Sequence, residues 1–181
     1  MQPRNSGRVH EQMLRQLERN EKKEAFHRDR FMRFKLFEIH KKLTQVLLMD
    51  KTIETDNPAA MEEALLKGFK QAISAAPFDF DYFIAPVRGL VPRANPYSLY
   101  ITQYILEVMI GEPCVLEIYG TEEEIYHIVN RVVSAVNIKF ERSEEDLIKQ
   151  MNKNKSVQPG TREYDIALDQ LARQIFGEPI K

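Results

Sequence analysis

The stretch Asn95-Pro-Tyr-Ser-Leu-Tyr-Ile-Thr-Gln-Tyr-Ile-Leu-Glu-Val-Met-Ile-Gly111 contains the start, the body and the end of one helix. Asn95 is a favourable N-cap, and proline is common at the first helical position because its missing N–H is not needed there. Between its two ends the stretch is apolar on almost every side, and Glu107 is its only charged residue. A helix of this kind cannot face water along most of its surface. We therefore predict that 96–110 is the most buried helix of the fold.

Strand patterns lie on both sides of this helix. Residues 78–85 begin with alternating aromatic and acidic side chains, and 114–119 is a mostly apolar run, so we predict a strand in each. The run Thr121-Glu-Glu-Glu124 is a capping box that opens another helix, and 137–141 is predicted as a short third strand. This order of elements is typical of crossover connections. The predicted fold class is α+β or α/β, with a small three-stranded sheet and crossover helices, flanked by a long N-terminal helix and by C-terminal helices.

The chain as a whole is predicted to divide into four parts. Residues 1–24 form a polar basic arm with too few apolar side chains to stabilise a helix by itself. Residues 25–151 form an α/β core that starts with a long helix, since 9–49 contain no glycine or proline. A polar linker, 152–160, leads to a C-terminal helix within 161–181 that packs on the core.

The charges of the chain are divided unevenly. Residues 1–51 hold 13 Lys and Arg against 7 Asp and Glu, whereas residues 52–181 hold 13 against 20. The net charge of −1 therefore hides a basic N-terminal region and an acidic body, which attract different partners. The basic residues singled out in the arm are Arg15, Arg19, Lys22, Lys23, Arg28 and Arg30.

Two kinds of partner suit this basic arm. Its cations could neutralise nucleic-acid phosphates, and such binding would weaken steeply with salt. Carboxylates are interspersed at helical spacing, however, with Glu11 before Arg15 and Glu18 before Lys22. This mixture is more typical of a solvated or protein-contacting helix. We favour a protein partner or a second copy of the chain, as in a homo-oligomer, with nucleic acid as the alternative.

An apolar seam continues along the same predicted helix. Its residues recur at alternating spacings of three and four, which is the pattern of a helix that packs on another element. Phenylalanines make this apolar face of the helix broad. If the rest of the chain does not bury all of it, a second subunit is expected to cover the remainder. The predicted partner-binding residues are Phe31, Phe34, Leu36, Phe37, Ile39 and Leu43.

The loop before Pro96 is the best candidate for binding a small anion. A helix N-terminus offers free N–H groups and partial positive charge, and Arg88 and Arg93 would complete a phosphate or carboxylate site beside Asn95. The loop has one glycine and no Lys-Ser/Thr pair, so it matches neither of the common nucleotide-binding loops. The competing interpretation is a proline-rich loop whose arginines are solvated or paired with neighbouring carboxylates.

Other chemistry has little support in the sequence. The four histidines lack the spacing of metal ligands, and we predict no metal site and no cofactor. The lone cysteine, Cys114, lies in an apolar run and is expected to be a buried thiol. Since no Gly-x-Ser-x-Gly motif is present and no catalytic residue emerges, the sequence leans away from an enzyme.

The remaining expectations concern location. The first residues lack an apolar signal region, and no apolar run approaches the ~20 residues that a membrane helix needs. We therefore expect a cytoplasmic protein that makes no membrane contact.

The function predicted from the sequence is that of a non-enzymatic protein–protein interaction module, such as an adaptor, a chaperone or a regulatory subunit. Its basic amphipathic N-terminal helix would contact the partner. One alternative is a nucleic-acid-associated protein that binds phosphates through the basic arm. The other is a sensor or enzyme that binds an anionic ligand at the loop containing Arg88 and Arg93.

Overall fold

The computed structural model describes residues 30–74, 89, 91–153 and 157–179. In these residues the fold is mostly helical, with five helices and one small sheet. In chain order the elements are α1 (30–49), β1 (Ile53–Thr55), α2 (Pro58–Ser74), α3 (Pro96–Gly111), β2 (Val115–Ile118), α4 (Glu122–Lys153) and α5 (Arg162–Phe176).

The sheet differs from the predicted one. In the described residues it has two strands, β1 and β2, which pair antiparallel with Ile53 opposite Ile118 and an irregularity between Glu54 and Thr55. The predicted three-stranded sheet with crossover helices is therefore wrong. Of its three predicted strands, 114–119 is confirmed as β2, while 78–85 lies outside the described residues.

The third predicted strand, 137–141, is wrong because it lies inside the long helix α4. The helical spacing of buried residues continues from Val133 and Val136 to Phe140 without interruption. Local contacts agree with this spacing, since the Asn137 side-chain amide donates to the Glu141 carboxylate one turn later (2.8 Å). A five-residue segment has no strong preference by itself, and burial of the whole helix decides its conformation.

The first strand, β1, was not predicted. It is only three residues long, which is too short for an alternating pattern to be visible in the sequence. Its position depends on the turn before α4, where the Thr52 carbonyl oxygen accepts hydrogen bonds from the Tyr119 and Gly120 amides (2.8 and 3.1 Å). A Cβ on Gly120 would lie 2.3 Å from the Thr52 Cγ2 atom, so only glycine allows this approach.

The main core lies between α1, α2, α3 and the N-terminal half of α4. Gly68 allows α2 and α3 to approach closely, because a Cβ at this position would lie 3.2 Å from the Tyr104 carbonyl oxygen. The largest fully buried side chains of the fold are Tyr100, Phe31, Phe69, Phe140, Leu36, Ile39, Leu43, Leu47, Met61, Leu65 and Leu99. Burial of so many large apolar side chains is the main source of stability.

A second apolar cluster joins the C-terminal part of α4 to α5, as the predicted packing of a C-terminal helix requires. Its buried members are Leu147, Met151, Tyr164, Leu168 and Ala172. Thr161 is the N-cap of α5 and Gly177 its C-cap. Phe176, at the end of α5, contacts the rings of Phe34 and Phe140 and so connects the two clusters.

Within the described parts of the chain, no helix combines the length and the apolar character needed to cross a bilayer.

Candidate functional site

An open groove of about 1020 Å³ runs between α1 and α2. The two helices run antiparallel, because only the short segment 50–57 separates them and His40 of α1 contacts Glu62 near the start of α2. Met32 and Ile73, which are farther from this connection, both line the groove. The lining residues among those described are Met32, Arg33, Leu36, Ala60, Glu63, Ala64, Leu66, Lys67, Lys70, Gln71, Ile73 and Glu112.

The floor of the groove is apolar. Met32, Leu36 and Ala64 are buried, whereas Ala60 and Leu66 are half-buried and Ile73 is exposed. The groove remains open because α2 presents Ala60 and Ala64, one turn apart, toward it. A methyl group fills much less of the space between two helices than a leucine side chain does, so a channel is left.

The rim of the groove carries charges of both signs. Arg33, Lys67 and Lys70 supply the cations, and Glu63 and Glu112 supply the carboxylates. Lys67 and Lys70 form no salt bridge with any other described residue. The groove therefore combines an apolar floor with lysine ammonium groups that are free to bind an external carboxylate.

The two charge types lie in different halves of the groove, although Glu63 and Lys67 are only one helical turn apart on α2. We call Arg33, Lys67 and Lys70 the cation end, and Glu63 and Glu112 the acid end. The acid end lies near the start of α2, because the Thr55 hydroxyl donates to the Cys114 carbonyl oxygen (2.7 Å) and so holds the segment after α3 beside α2. The half of the groove nearer the end of α2 is therefore the more positive one.

His40 lies under the α1/α2 contact. Its side chain is buried, and its Nε2 atom is 3.1 Å from the Glu62 carbonyl oxygen and 3.4 Å from the Glu62 carboxylate. Its Nδ1 atom is buried and has no hydrogen-bond partner among the described residues. The pair connects α1 to the first half of α2 by polar contacts, next to the acid end.

The predicted partner-binding residues have different environments. Phe31, Leu36, Ile39 and Leu43 are buried in the protein's own core, and of these Leu36 also lines the groove floor. Phe34 is half-buried, with its ring 5.7 Å from that of Phe176. Phe37 is 51% exposed and lies one turn after Arg33, on the same face of α1 as the cation end. Of the six residues, Phe37 is therefore the one with most of its surface available to a partner.

The basic arm is described only at its end. Arg15, Arg19, Lys22, Lys23 and Arg28 lie outside the described residues. Arg30 belongs to α1, and its Nε atom donates to the Glu144 carboxylate of α4 at 2.6 Å. The Glu144 side chain is only 10% exposed, so this guanidinium joins two helices of the fold.

The predicted anion site is described only in part. Arg88 lies outside the described residues, and Arg93 is exposed with a φ of 54°. The Asn95 side-chain oxygen accepts hydrogen bonds from the Tyr97 and Ser98 amides (2.9 and 3.2 Å). Asn95 is thus confirmed as the N-cap of α3, and it occupies two of the N–H groups that an anion would use.

A smaller polar depression of about 440 Å³ lies at the open end of the sheet. Two of its basic side chains have partners, since Arg131 pairs with Asp50 (3.4 Å) and His127 lies 3.7 Å from Glu123. Tyr119 also lines this depression, and its hydroxyl donates to Glu54 (2.5 Å), which raises the pKa of the tyrosine. Within the described residues, no group of three or more His, Cys, Asp or Glu side chains is arranged to hold a metal ion.

Sequence reasoning missed the α2 side of the groove. Its alanines and lysines follow the helical period, but a pair of alanines on a helix is also common in closely packed cores. The available signal was the coincidence of Ala60 and Ala64 with Lys67 and Lys70 along neighbouring stripes of one helix. These residues indicate a groove only once it is known that α1 lies opposite them.

Comparison with known proteins does not add to this description. No protein-family model, curated protein or solved structure matches the chain. The groove between α1 and α2 is therefore the main structural indication of function.

Proposed function

We propose that this protein is a non-enzymatic protein–protein interaction module and that the groove between α1 and α2 is its docking surface. The observation that supports this proposal most directly is the groove itself, with an apolar floor and two rim lysines that form no salt bridge with other described residues. An exposed apolar patch bordered by polar groups is typical of an interaction site. Since the chain has a single cysteine, which suits a reducing compartment, we keep the cytoplasm as the proposed location.

The shape of the groove favours a polypeptide over a small molecule. The lining of α2 extends from Ala60 to Ile73, which corresponds to about 20 Å at 1.5 Å per helical residue. Small-molecule sites are compact cavities of roughly 300–1,000 Å³ that enclose most of the ligand. An open channel about 20 Å long matches several turns of a helix lying in it, which is a common mode of peptide recognition.

Phe37 extends this surface beyond the groove. Aromatic side chains contribute strongly to protein interfaces because a large rigid ring is removed from water. Phe37 lies beside Leu36 on α1 and meets the His40 ring edge-on, with 6.3 Å between centroids. We therefore still propose that α1 contacts the partner. The anchoring residues are Phe37 and those of the groove, because Phe31 is buried in the protein's own core.

The proposal is tested by crosslinking in cells followed by measurement with purified proteins. A photoreactive benzoylphenylalanine replaces Ile73, an exposed residue of the groove, and in a control chain it replaces Ile138, which is similarly exposed on α4. We expect a protein adduct from the groove position that the control position does not give. The captured protein is then identified, purified and titrated by calorimetry.

The titration compares two matched tryptophan variants. Ala60→Trp fills the groove, whereas Ala135→Trp adds the same side chain to an exposed site on α4. We expect the first to weaken binding at least about tenfold and the second to leave it unchanged. Equal binding of both variants would overturn the proposal. Nucleic acid that co-purifies with the full-length chain and is released by salt would instead favour the basic arm as the binding element.

A further inference from the structure

We infer that the groove accepts an amphipathic helix whose acidic residues are concentrated at one end. This inference rests on the proposed function, and it names the chemistry of the partner. The three cations Arg33, Lys67 and Lys70 lie in the half of the groove nearer the end of α2, and Lys67 is the closest of them to the middle. Glu63 and Glu112 lie toward the other end and repel an evenly acidic ligand there.

The apolar part of the ligand follows from the floor. Met32, Leu36 and Leu66 present aliphatic surface along the channel, and Ile73 continues it for one side chain at the cation end. A helix lying on this floor would place apolar residues at positions i, i+3 or i+4, i+7 and i+11. About 14 residues span the channel, since each residue advances the helix by 1.5 Å.

The charged part of the ligand follows from the lysines. Lys67 and Lys70 are three residues apart, so both ammonium groups extend from the same side of α2. Glutamates on adjacent turns of the bound helix can reach both of them, beside an apolar surface from which water is partly excluded. Arg33 lies across the channel, on α1, and adds to the positive potential at the same end of the ligand.

The test uses two synthetic peptides of about 14 residues with the same leucine stripe. One carries three glutamates in its first two turns, and the other carries three lysines at the same positions. Binding of labelled peptide to the full-length protein is followed by fluorescence anisotropy. We expect the acidic peptide to bind at least about tenfold more tightly, and the difference to shrink with added salt because rim charges are screened over about 8 Å.

The decisive variant reverses the charge of the groove. Lys67→Glu combined with Lys70→Glu is expected to reverse the preference between the two peptides, whereas Lys139→Glu on α4 leaves it unchanged. A reversed preference cannot arise from the helical tendency of the peptides themselves, since the same peptides are compared on both proteins. Equal binding of both peptides, or an unchanged preference in the double variant, would overturn the inference.

Two further outcomes separate this inference from the proposed function. If the captured partner loses binding to Ala60→Trp but not to the lysine double variant, the groove is the docking surface and the acidic partner is wrong. If light scattering shows a dimer that the lysine double variant dissociates, the occupant is a second copy of the chain and the inference of a separate acidic helix is overturned. Both variants are first checked for an unchanged circular dichroism spectrum and melting temperature.

Discussion

Two helix pairs of this fold meet in different ways. Between α4 and α5, the large side chains of Leu147, Met151, Tyr164 and Leu168 fill the contact, and Ala172 completes it. Between α1 and α2, alanines leave an open channel above the core. An unfilled contact forgoes the dispersion and burial that larger side chains would supply. The filled pair therefore contributes mainly to stability, and the open pair is where we locate binding.

The largest effect is expected where the filled region meets the main core. Phe140 is fully buried, and its ring contacts those of Phe31 and Phe176 at 5.6 and 4.8 Å between centroids. Phe140→Ala should lower the free energy of unfolding by about 3–5 kcal/mol, because it leaves a cavity at this junction. Urea denaturation gives the value, and Ile138→Ala, at a half-exposed site on the same helix, is the control. A loss below about 1 kcal/mol would show that the junction is not tightly packed.

The next largest effect is expected at the ion pair that connects α1 to α4. Arg30→Met leaves the nearly buried carboxylate of Glu144 without this guanidinium, and we expect a loss of about 1–3 kcal/mol in the free energy of unfolding. A double-mutant cycle with Glu144→Met isolates the coupling energy of the pair. A coupling energy near zero would mean that Arg30 remains available to a ligand of the basic arm.

A matched pair of leucine substitutions tests the comparison directly. Ala172→Leu adds volume to the filled contact and is expected to cost about 1–3 kcal/mol through overpacking. Ala60→Leu adds the same volume to the groove and is expected to change stability by less than about 1 kcal/mol, with a gain favoured because apolar surface becomes covered. The melting temperatures of the two variants, compared with that of the wild type, measure both changes in stability. Equal destabilisation of both would contradict an open groove.

The smallest effect is electrostatic and lies on the outer face of α1. The hydrogen bond from Lys42 holds the pKa of the Glu38 carboxyl below its usual value of 4.5, and Lys35 acts in the same direction. Below pH 4.5 the unfolded chain therefore binds more protons than the folded protein, so this contribution to stability is present above pH 4.5 and is lost as the pH falls.

The measurement is urea denaturation between pH 3 and 6, for the wild type and for Glu38→Gln. Because Glu38 is 36% exposed, the difference should be below about 0.5 kcal/mol, and the variant should show the shallower dependence on pH. If the free energy of unfolding changed with pH equally in the variant and the wild type, Glu38 would not contribute to acid sensitivity.

Signals that are local in sequence were sufficient for several elements. Asn95 before Pro96 and the capping box of Thr121 and Glu124 each act within one turn of the chain, and the structure confirms both. A helix cap depends on the residue itself and on the amides two or three positions away. Such features need no knowledge of the rest of the fold.

The prediction failed where distant elements decide the outcome. The segment 137–141 is helical because Val136 and Phe140 pack into cores built from α1 and α5, far away in sequence. The strand β1 exists because Cys114, Val115 and Ile118 happen to lie beside it. In both cases a short run has no strong preference of its own, and burial selects its conformation.

The candidate site shows the same division. By itself the sequence determined that an amphipathic, phenylalanine-rich helix precedes an acidic body, since charge and periodicity are properties of the residues alone. Only the tertiary structure decided that Phe31 and Ile39 are buried while Phe37 is exposed, and that Ala60 and Lys67 face the same channel. The physical reason is that whether a surface is covered depends on which element lies opposite it, and helical periodicity carries no information about that neighbour.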